Sequence, residues 1–251
     1  MIAPYLLLCL SEAVMAEFSR LWENGPVFAQ ADHFRLSTDC VLLADFVNMT
    51  GQAKGIDLGC ASGAIMLLLM TKNERISMTG LEILSSASAL AEENMSANLL
   101  SERSRIICGD IREHRNLFKS GSFDFAVSNP PYYTPSSGFV SPKEDKAAAR
   151  SELSCSLDDI CSAAAFLCRT GGSFFMVYKP ERLAEALIIM SEKGLEPKRL
   201  RLVCAEASKP PSLVLIEARR GGKPGLKIEA SLYLKEPDGA ESEEYRRIYH
   251  R

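Results

Sequence analysis

The sequence predicts an α/β fold in which a mostly parallel sheet carries helices on both of its faces. From about residue 53 onward, short runs of β-forming composition alternate with longer runs of helical composition. Alternation of this kind is typical of parallel strands that are joined by helices. The last two predicted strands are separated only by a short connection that contains proline. Because this connection leaves no room for a crossover helix, these two strands should pair antiparallel.

Seven strands are expected, and a helix follows several of them. The run at 85–100 is rich in Ala, Glu and Met, which favour helices. Glycines mark two helix ends: Gly171-Gly172 follows the helix at 157–168, and Gly194 follows the next one. The predicted strands are residues 53–58, 76–83, 105–108, 122–128, 173–178, 199–205 and 213–218, and the predicted helices are residues 64–70, 85–100, 157–168 and 181–193.

The length of 251 residues fits one large α/β domain and is ample for a sizeable core. The chain has no internal repeat and no low-complexity linker, so we expect a single domain over residues 1–251. Residues 1–50 are expected to form an N-terminal cap, residues 51–219 the core, and residues 220–251 a C-terminal extension.

Composition narrows the class of protein. Apolar residues make up 47% and charged residues 24% of the chain, and the net charge is −3, which is ordinary for a globular protein. Without an overall basic charge, any contact with nucleic acid must be local. Eight cysteines without a CxxC spacing, and only three histidines, argue against a metal site. We expect reduced thiols, packed as small hydrophobes, in a cytoplasmic protein.

The N-terminus contains an apolar run at residues 4–10 that is too short to span a membrane. No Lys or Arg precedes it, so the positive end of a secretory signal is missing. Two interpretations remain: a short amphipathic helix, or a start codon placed too early, with Met15 as the true start. The second is favoured. No other stretch is long enough for a membrane span.

A glycine-containing loop follows the first core strand. Asp57-Leu-Gly-Cys-Ala-Ser-Gly63 leaves that strand and opens a helix, so its backbone can approach a ligand closely. Glu82 ends the second strand, where a carboxylate can grip two ribose hydroxyls. Asp110 follows the third strand. All three acids should therefore meet at the carboxyl edge of the sheet, where open α/β sheets bind ligands.

The chemistry of this edge favours one kind of cofactor. No GxGxxG and no GxxxxGK[ST] motif is present, which argues against dinucleotides and against a phosphate-cradling loop. Acids at the strand ends suit a cofactor that has a positive charge and no phosphates, and S-adenosylmethionine is such a molecule. The alternative is an ordinary tight turn with acids that face solvent.

A second motif follows the fourth strand: Asn129-Pro130-Pro131-Tyr132. Prolines fix φ and stiffen the turn, which holds the Asn129 side chain and the Pro130 carbonyl as two acceptors for one amino group. Tyr132 offers a flat face on which a planar substrate can stack. The alternative is a proline-capped strand end, since Asn-Pro is common in turns.

With these motifs in place, the chain resembles class I S-adenosylmethionine-dependent methyltransferases that carry Asn-Pro-Pro-Tyr. Within them it is most similar to the bacterial tRNA1(Val) (adenine-37-N6)-methyltransferase family, from about residue 20 onward, including residues 34–44, 196–201, 222–227 and 243–249. The resemblance implies a Rossmann-like class I methyltransferase fold with a seven-stranded, mostly parallel sheet and an antiparallel C-terminal hairpin. It implies a cofactor pocket formed by Asp57, Gly59, Cys60, Ala61, Gly63, Glu82, Ile83, Asp110, Ile111 and Asn129, and a target-amine site formed by Asn129, Pro130, Pro131 and Tyr132.

One departure concerns Ala61, which stands where many class I enzymes carry the middle glycine of the loop. A methyl group is tolerable there if φ stays negative, but it can weaken cofactor binding.

Substrate contacts are expected from basic and aromatic residues. Residues 193–227 hold nine basic and three acidic residues, a local positive charge that suits an RNA backbone. A solvated hairpin edge explains that charge about equally well. No DNA, membrane or metal partner is expected. The predicted RNA contacts are Arg35, Tyr132, Tyr133, Lys143, Lys146, Arg150, Lys198, Arg199 and Arg201.

Three functions are compatible with these features. The first is N6 methylation of an adenine in tRNA. The second is N5 methylation of glutamine in release factors, whose enzymes share Asn-Pro-Pro-Tyr but usually carry a larger N-terminal helical domain. The third is a methyltransferase-like RNA-binding protein without turnover, against which the intact Asn-Pro-Pro-Tyr motif argues.

Overall fold

A computed structural model describes residues 17–30, 36–130 and 155–250. Short 3-10 turns occur at Ile111–Glu113 and Pro180–Arg182. The strands are β1 (Phe18–Arg20), β2 (Val27–Ala29), β3 (Ala53–Leu58), β4 (Ile76–Glu82), β5 (Ser104–Cys108), β6 (Phe123–Ser128), β7 (Cys168–Tyr178), β8 (Leu195–Cys204), β9 (Pro211–Arg220), β10 (Lys227–Ile228) and β11 (Leu232–Tyr233). The helices are α1 (Thr38–Phe46), α2 (Ala64–Lys72), α3 (Ser85–Ala97), α4 (His114–Leu117), α5 (Leu157–Leu167), α6 (Leu183–Glu192) and α7 (Glu243–Ile248).

The main sheet has the strand order β10-β8-β9-β7-β6-β3-β4-β5, and β11 also pairs with β8. Within the described residues, β9 runs antiparallel to both of its neighbours, and the other pairs in this sheet are parallel. The predicted α/β class and the antiparallel hairpin are confirmed. The sheet has nine strands rather than seven, because two-residue strands from the C-terminal segment join the edge at β8.

Helices cover both faces of the sheet, and adjacent residues of β7 show why. Successive side chains of a strand point to opposite faces. Phe174 packs into a core with residues of α5 and α6, whereas Phe175 packs into a core with residues of α1 and α2. Both phenylalanines are fully buried. The run at 174–178 is accordingly largely apolar, as expected of a strand buried on both faces.

The N-terminal segment forms a small hairpin and a helix. β1 and β2 pair antiparallel, with Phe18 opposite Ala29. α1 begins after Ser37, whose hydroxyl oxygen accepts the N–H of Cys40 at 3.4 Å. The end of α1 is held by Arg247 of α7, whose guanidinium donates to both carboxylate oxygens of Asp45 at 3.1 and 3.2 Å. The two ends of the described chain thus meet on one face of the sheet.

Two general features bear on the sequence-based expectations. No helix within the described ranges is long and apolar enough to cross a membrane. In the same ranges, no group of three His, Cys, Asp or Glu side chains is placed to hold a metal ion.

The described cysteines are free thiols, and burial raises the pKa of both Cys161 and Cys168 to about 12. Those two thiols therefore stay protonated at neutral pH.

Candidate active site

The carboxyl ends of β3, β4, β5 and β6 lie side by side at one edge of the sheet. Asp57 of β3 is opposite Gly80 of β4 and Val127 of β6, and Glu82 is opposite Cys108 of β5. The loops after these strands therefore leave the sheet next to one another, where open α/β sheets bind ligands. This edge carries the predicted site residues Asp57, Glu82, Asp110 and Asn129.

Residues 59–63, which we call the cofactor loop, turn sharply between β3 and α2. Gly59, Ala61 and Gly63 have φ of 80°, 47° and 81°, all in the left-handed region. The N–H of Gly59 donates to the carbonyl of Leu81 at 2.8 Å. A side chain added at Gly59 would meet, among the described atoms, only Cδ1 of Ile111 at 4.0 Å. The space over this backbone is open, so a ligand can approach it closely.

Ala61 does not have the negative φ that would make a methyl group tolerable at this position. Its φ is positive, and a left-handed conformation costs a residue other than glycine about 1 to 2 kcal/mol. Hydrogen bonds hold the turn in place: the N–H of Ala61 donates to Oε2 of Glu82 at 3.0 Å. Oε1 of the same carboxylate accepts the N–H of Leu84 at 2.9 Å. Glu82, which is only 8% exposed, thus ties the cofactor loop to the start of α3.

Asp57 is the most unusual group at this edge. It is fully buried, and neither carboxylate oxygen has a hydrogen-bond partner within the described part of the chain. Loss of water, together with the nearby charge of Glu82, raises the pKa of Asp57 to about 8. An unpartnered buried carboxyl is costly. A cationic hydrogen-bond donor on a ligand would remove that cost.

Asp110 has partners of its own. Its Oδ1 caps the turn that follows β5 by accepting the N–H of Arg112 at 2.9 Å, and the Arg112 guanidinium contacts both carboxylate oxygens. These hydrogen bonds lower the pKa of Asp110. Three residues predicted to line the cofactor pocket follow the same strands: Cys60 and Ile111 are buried, and Ile83 is half-buried.

Asn129 follows β6, beside the cofactor loop. The hydroxyl of Ser128 donates to the carbonyl of Leu58 at 2.8 Å, which fixes the end of β6 against the end of β3. Nδ2 of Asn129 donates to Sγ of Cys40 at 3.3 Å, and Pro130 is buried. Cys40 was missed in the sequence, because nothing in the run at 34–44 shows that α1 reaches the end of β6.

Seven residues of the predicted amine and substrate sites lie outside the described residues. They are Arg35, Pro131, Tyr132, Tyr133, Lys143, Lys146 and Arg150.

Two arginines of β8, which the sequence predicts to contact RNA, make contacts inside the chain. Nε of Arg199 donates to Oε2 of Glu217 at 2.9 Å and Nη2 donates to the carbonyl of Phe46 at 2.6 Å, and the guanidinium lies 3.9 Å from the centroid of the Phe46 ring. Arg201 forms a bidentate ion pair with Glu244: Nη1 donates to Oε1 at 2.8 Å and Nη2 donates to Oε2 at 2.7 Å. These guanidinium groups tie α1 and α7 to the sheet, and their contact with RNA stays a prediction.

Lys198, the third basic residue predicted on this strand, is also engaged inside the chain. Its Nζ donates to the carbonyl of Lys223 at 2.9 Å. Part of its hydrogen-bonding capacity therefore holds the segment after β9, and its contact with RNA stays a prediction.

Relatives of the chain carry one name. A protein named tRNA1(Val) (adenine(37)-N6)-methyltransferase from Bacteroides fragilis is 30% identical over 72% of this chain and 76% of its own length. One of the same name from Escherichia fergusonii is 28% identical over 90% of this chain and 94% of its own length.

Solved structures share the fold. A predicted O-methyltransferase from Agrobacterium tumefaciens has a TM-score of 0.69 at 17% identity, over 85% of this chain and 96% of that one. TrmN from Thermus thermophilus has a TM-score of 0.51 at 16% identity, over 72% of this chain and 48% of that one. At these identities the likeness shows the architecture alone. Residues 20–193 match the methyltransferase small domain, and since this match covers more than half of the sequence, the chain belongs to the methyltransferase small domain family.

Proposed function

We propose that this chain transfers a methyl group from S-adenosylmethionine to the N6 amino group of an adenine in tRNA. The family of residues 20–193 and the name shared by relatives that are 28% to 30% identical support the proposal. One structural observation carries it. The cofactor loop after β3 and Asn129 after β6 stand at adjacent strand ends, joined by the Ser128–Leu58 hydrogen bond of 2.8 Å.

The residues at this edge fit S-adenosylmethionine. The buried, unpartnered carboxyl of Asp57 suits a cationic amino group, and the open backbone at Gly59 admits close approach. Each carboxylate oxygen of Glu82 accepts one N–H and keeps capacity for a ribose hydroxyl. When bound, S-adenosylmethionine supplies an electrophilic methyl group on a sulfonium.

Hydrogen-bond acceptors of the chain hold and orient the amine that receives the methyl group. Oδ1 of Asn129 and the carbonyl of Pro130 can accept the two N–H bonds of an exocyclic amine. An amine held by two acceptors presents its lone pair in a fixed direction. Because methyl transfer is a direct displacement, this positioning supplies most of the rate enhancement. Tyr132, if it stacks on the base as the motif predicts, would complete the grip on an adenine that has left its stack.

The decisive experiment uses purified protein, labelled S-adenosylmethionine, and total tRNA from a strain that lacks the gene. We expect label in tRNA and N6-methyladenosine after digestion to nucleosides, with adenine 37 of tRNA1(Val) as the first position to map. An Asn129→Ala variant should transfer no label. Transfer to release factor but not to tRNA would replace this proposal by glutamine methylation. A tRNA substrate also implies a cytoplasmic location.

If Asn129→Ala methylates tRNA as well as the wild type, the proposed role of the Asn-Pro-Pro-Tyr motif is wrong. If the wild type binds RNA and has no affinity for S-adenosylmethionine, the chain is a non-catalytic RNA-binding protein.

A further inference from the structure

Asn94 of α3 is fully buried, and its carboxamide makes three hydrogen bonds. Oδ1 accepts the N–H of Ala29 at 2.7 Å. Nδ2 donates to the carbonyl of Ala29 at 3.1 Å and to the carbonyl of Ser62 at 3.0 Å. The reverse orientation of the amide would set Nδ2 against an N–H and Oδ1 against two carbonyls, so one orientation alone satisfies all three bonds. This side chain joins β2 to the cofactor loop.

Asn98, one helical turn later, makes the same kind of contact with β2 and lacks the contact with the loop. Its Oδ1 accepts the N–H of Val27 at 2.9 Å, and its Nδ2 donates to the carbonyl of Val27 at 2.7 Å. Nδ2 also donates to the carbonyl of Asn94 at 2.8 Å. The two asparagines therefore act as a strand partner for the free edge of β2. Asn98 is a natural control for the extra bond of Asn94.

The contact of Asn94 falls on a strained part of the cofactor loop. Ser62 is 3% exposed and lies between Ala61 and Gly63, both of which have positive φ. A turn that holds left-handed residues keeps its geometry only where surrounding groups fix it. Two side chains do so here: Glu82 accepts the N–H of Ala61, and Asn94 donates to the carbonyl of Ser62.

We propose that Asn94 is a positioning residue for cofactor binding, which sets the geometry of the cofactor loop and couples it to the β1–β2 hairpin. The inference rests on the proposed function in so far as the ligand of the loop is S-adenosylmethionine. A loop already held in its binding geometry binds more tightly, because the ordering cost is met before the ligand arrives. Because the Asn94 carboxamide bonds to both β2 and the cofactor loop, ordering of either segment should favour ordering of the other.

The test compares Asn94→Ala with Asn98→Ala. Both variants lose the hydrogen bonds to β2, so both should lower the melting temperature of the apo protein. The dissociation constant for S-adenosylmethionine, measured by calorimetry, should rise at least about tenfold for Asn94→Ala and stay within about twofold for Asn98→Ala. The KM for S-adenosylmethionine should follow the same pattern, while the KM for tRNA and kcat at saturating cofactor stay within about twofold.

A measurement on the apo protein keeps the inference independent of the ligand. Amide hydrogen exchange of residues 59–63 should accelerate in Asn94→Ala and be unchanged in Asn98→Ala. A wild-type protein that does not bind S-adenosylmethionine would remove the proposed function, yet this exchange comparison would still decide the role of Asn94.

A measurement on the wild type covers the case in which Asn94→Ala does not fold. S-adenosylmethionine should slow exchange of the Ala29 N–H, which bonds to Asn94, at least about fivefold more than that of the Val27 N–H, which bonds to Asn98. Equal effects of the two substitutions on cofactor affinity, or equal protection of the two amides, would overturn the proposal and leave both asparagines as supports of the hairpin.

Discussion

Nδ2 of Asn129 lies 3.3 Å from Sγ of Cys40, although 89 positions separate the two residues. The thiol sulfur receives the amide hydrogen, so this contact with α1 restrains the Asn129 carboxamide. Oδ1 of the same carboxamide is the atom proposed to accept an N–H of the target amine. A residue of the N-terminal helix thus helps to set the geometry of the proposed amine site.

We therefore expect different results from Cys40→Ser and Cys40→Ala. A serine hydroxyl can still accept the amide hydrogen, so kcat should stay near that of the wild type. Alanine removes the acceptor, and kcat should fall about tenfold, which corresponds to about 1.4 kcal/mol in the barrier. Steady-state kinetics with tRNA and S-adenosylmethionine tests this. If serine and alanine lower kcat equally, the contact serves packing alone.

Ala61→Gly should stabilise the protein. Glycine removes the cost of the positive φ at residue 61, about 1 to 2 kcal/mol, and gives back part of it through a more flexible unfolded chain. The net gain in the free energy of unfolding should be about 0.5 to 1 kcal/mol by urea titration.

Ala89→Gly is the control for that substitution. Ala89 is exposed in the middle of α3, and glycine there should cost roughly 0.5 to 1 kcal/mol. A loss of stability at both positions would show that the loop does not need a left-handed residue.

The pH dependence of stability should reveal the raised pKa of Asp57. Its pKa in the folded state, about 8, lies above the ordinary value of 3.8, so the folded protein holds this proton more tightly than the unfolded chain does. The stabilising contribution of the Asp57 proton to the free energy of unfolding is therefore fully present below about pH 4 and is lost as pH rises toward 8. The free energy of unfolding of the wild type should fall relative to that of Asp57→Asn across this window.

Asp110→Asn provides a control of opposite sign. Arg112 lowers the pKa of Asp110, so its contribution is present above the ordinary pKa and is lost as pH falls through the folded value. Parallel pH profiles for Asp57→Asn and the wild type would contradict the burial of an unpaired carboxyl.

Cofactor binding should also release protons. At pH 7 the Asp57 carboxyl is mostly protonated, since its pKa is about 8. A cationic group placed beside it favours the ionised form. Calorimetric titration of S-adenosylmethionine in buffers of different ionisation enthalpy should show release of up to about one proton, and Asp57→Asn should abolish it. The same proton count in both proteins would place the cationic group elsewhere.

Arg199→Ala should lower stability without changing how tRNA binding depends on salt. Removal of the guanidinium takes away the ion-pair partner that lies 2.9 Å from Glu217, which is 6% exposed and keeps only the Ser173 hydroxyl at 3.1 Å as a described hydrogen-bond donor. Loss of one member of a buried pair costs roughly 3 to 5 kcal/mol. If Glu217 and Phe46 hold this side chain in the tRNA complex as they do here, the slope of log affinity against log salt should stay as in the wild type.

Lys227→Ala serves as the surface control. Lys227 is exposed on β10, so its substitution should leave the free energy of unfolding within about 0.5 kcal/mol. A salt slope smaller by about one for Arg199→Ala would instead support the RNA contact predicted for this residue.

The core strands and the cofactor loop could be predicted because their signals are local. The first core strand was expected at 53–58 and is Ala53–Leu58, and the helix expected at 157–168 is Leu157–Leu167. Buried parallel strands are continuous apolar runs, and glycines and acids at their ends need no knowledge of the rest of the chain.

The other features depend on contacts between distant segments. The pairing of Arg201 with Glu244 across 43 positions and the sharing of Asn94 between Ala29 and Ser62 leave no periodic pattern in the sequence. The same is true of β10, which is two residues long and forms only against β8. The carboxyl of Asp57 has no hydrogen-bond partner among the described residues, and this too is a property of the folded protein that the sequence does not reveal.

The position of β9 has a consequence for synthesis on the ribosome. β9 follows β7 and β8 in the chain, yet it lies between them in the sheet. Until Pro211–Arg220 has left the exit tunnel, the nascent chain presents two open strand edges, and open edges invite pairing with other chains. A ribosome that pauses or terminates before residue 211 should therefore release a substrate for chaperones and proteases rather than a partly active enzyme.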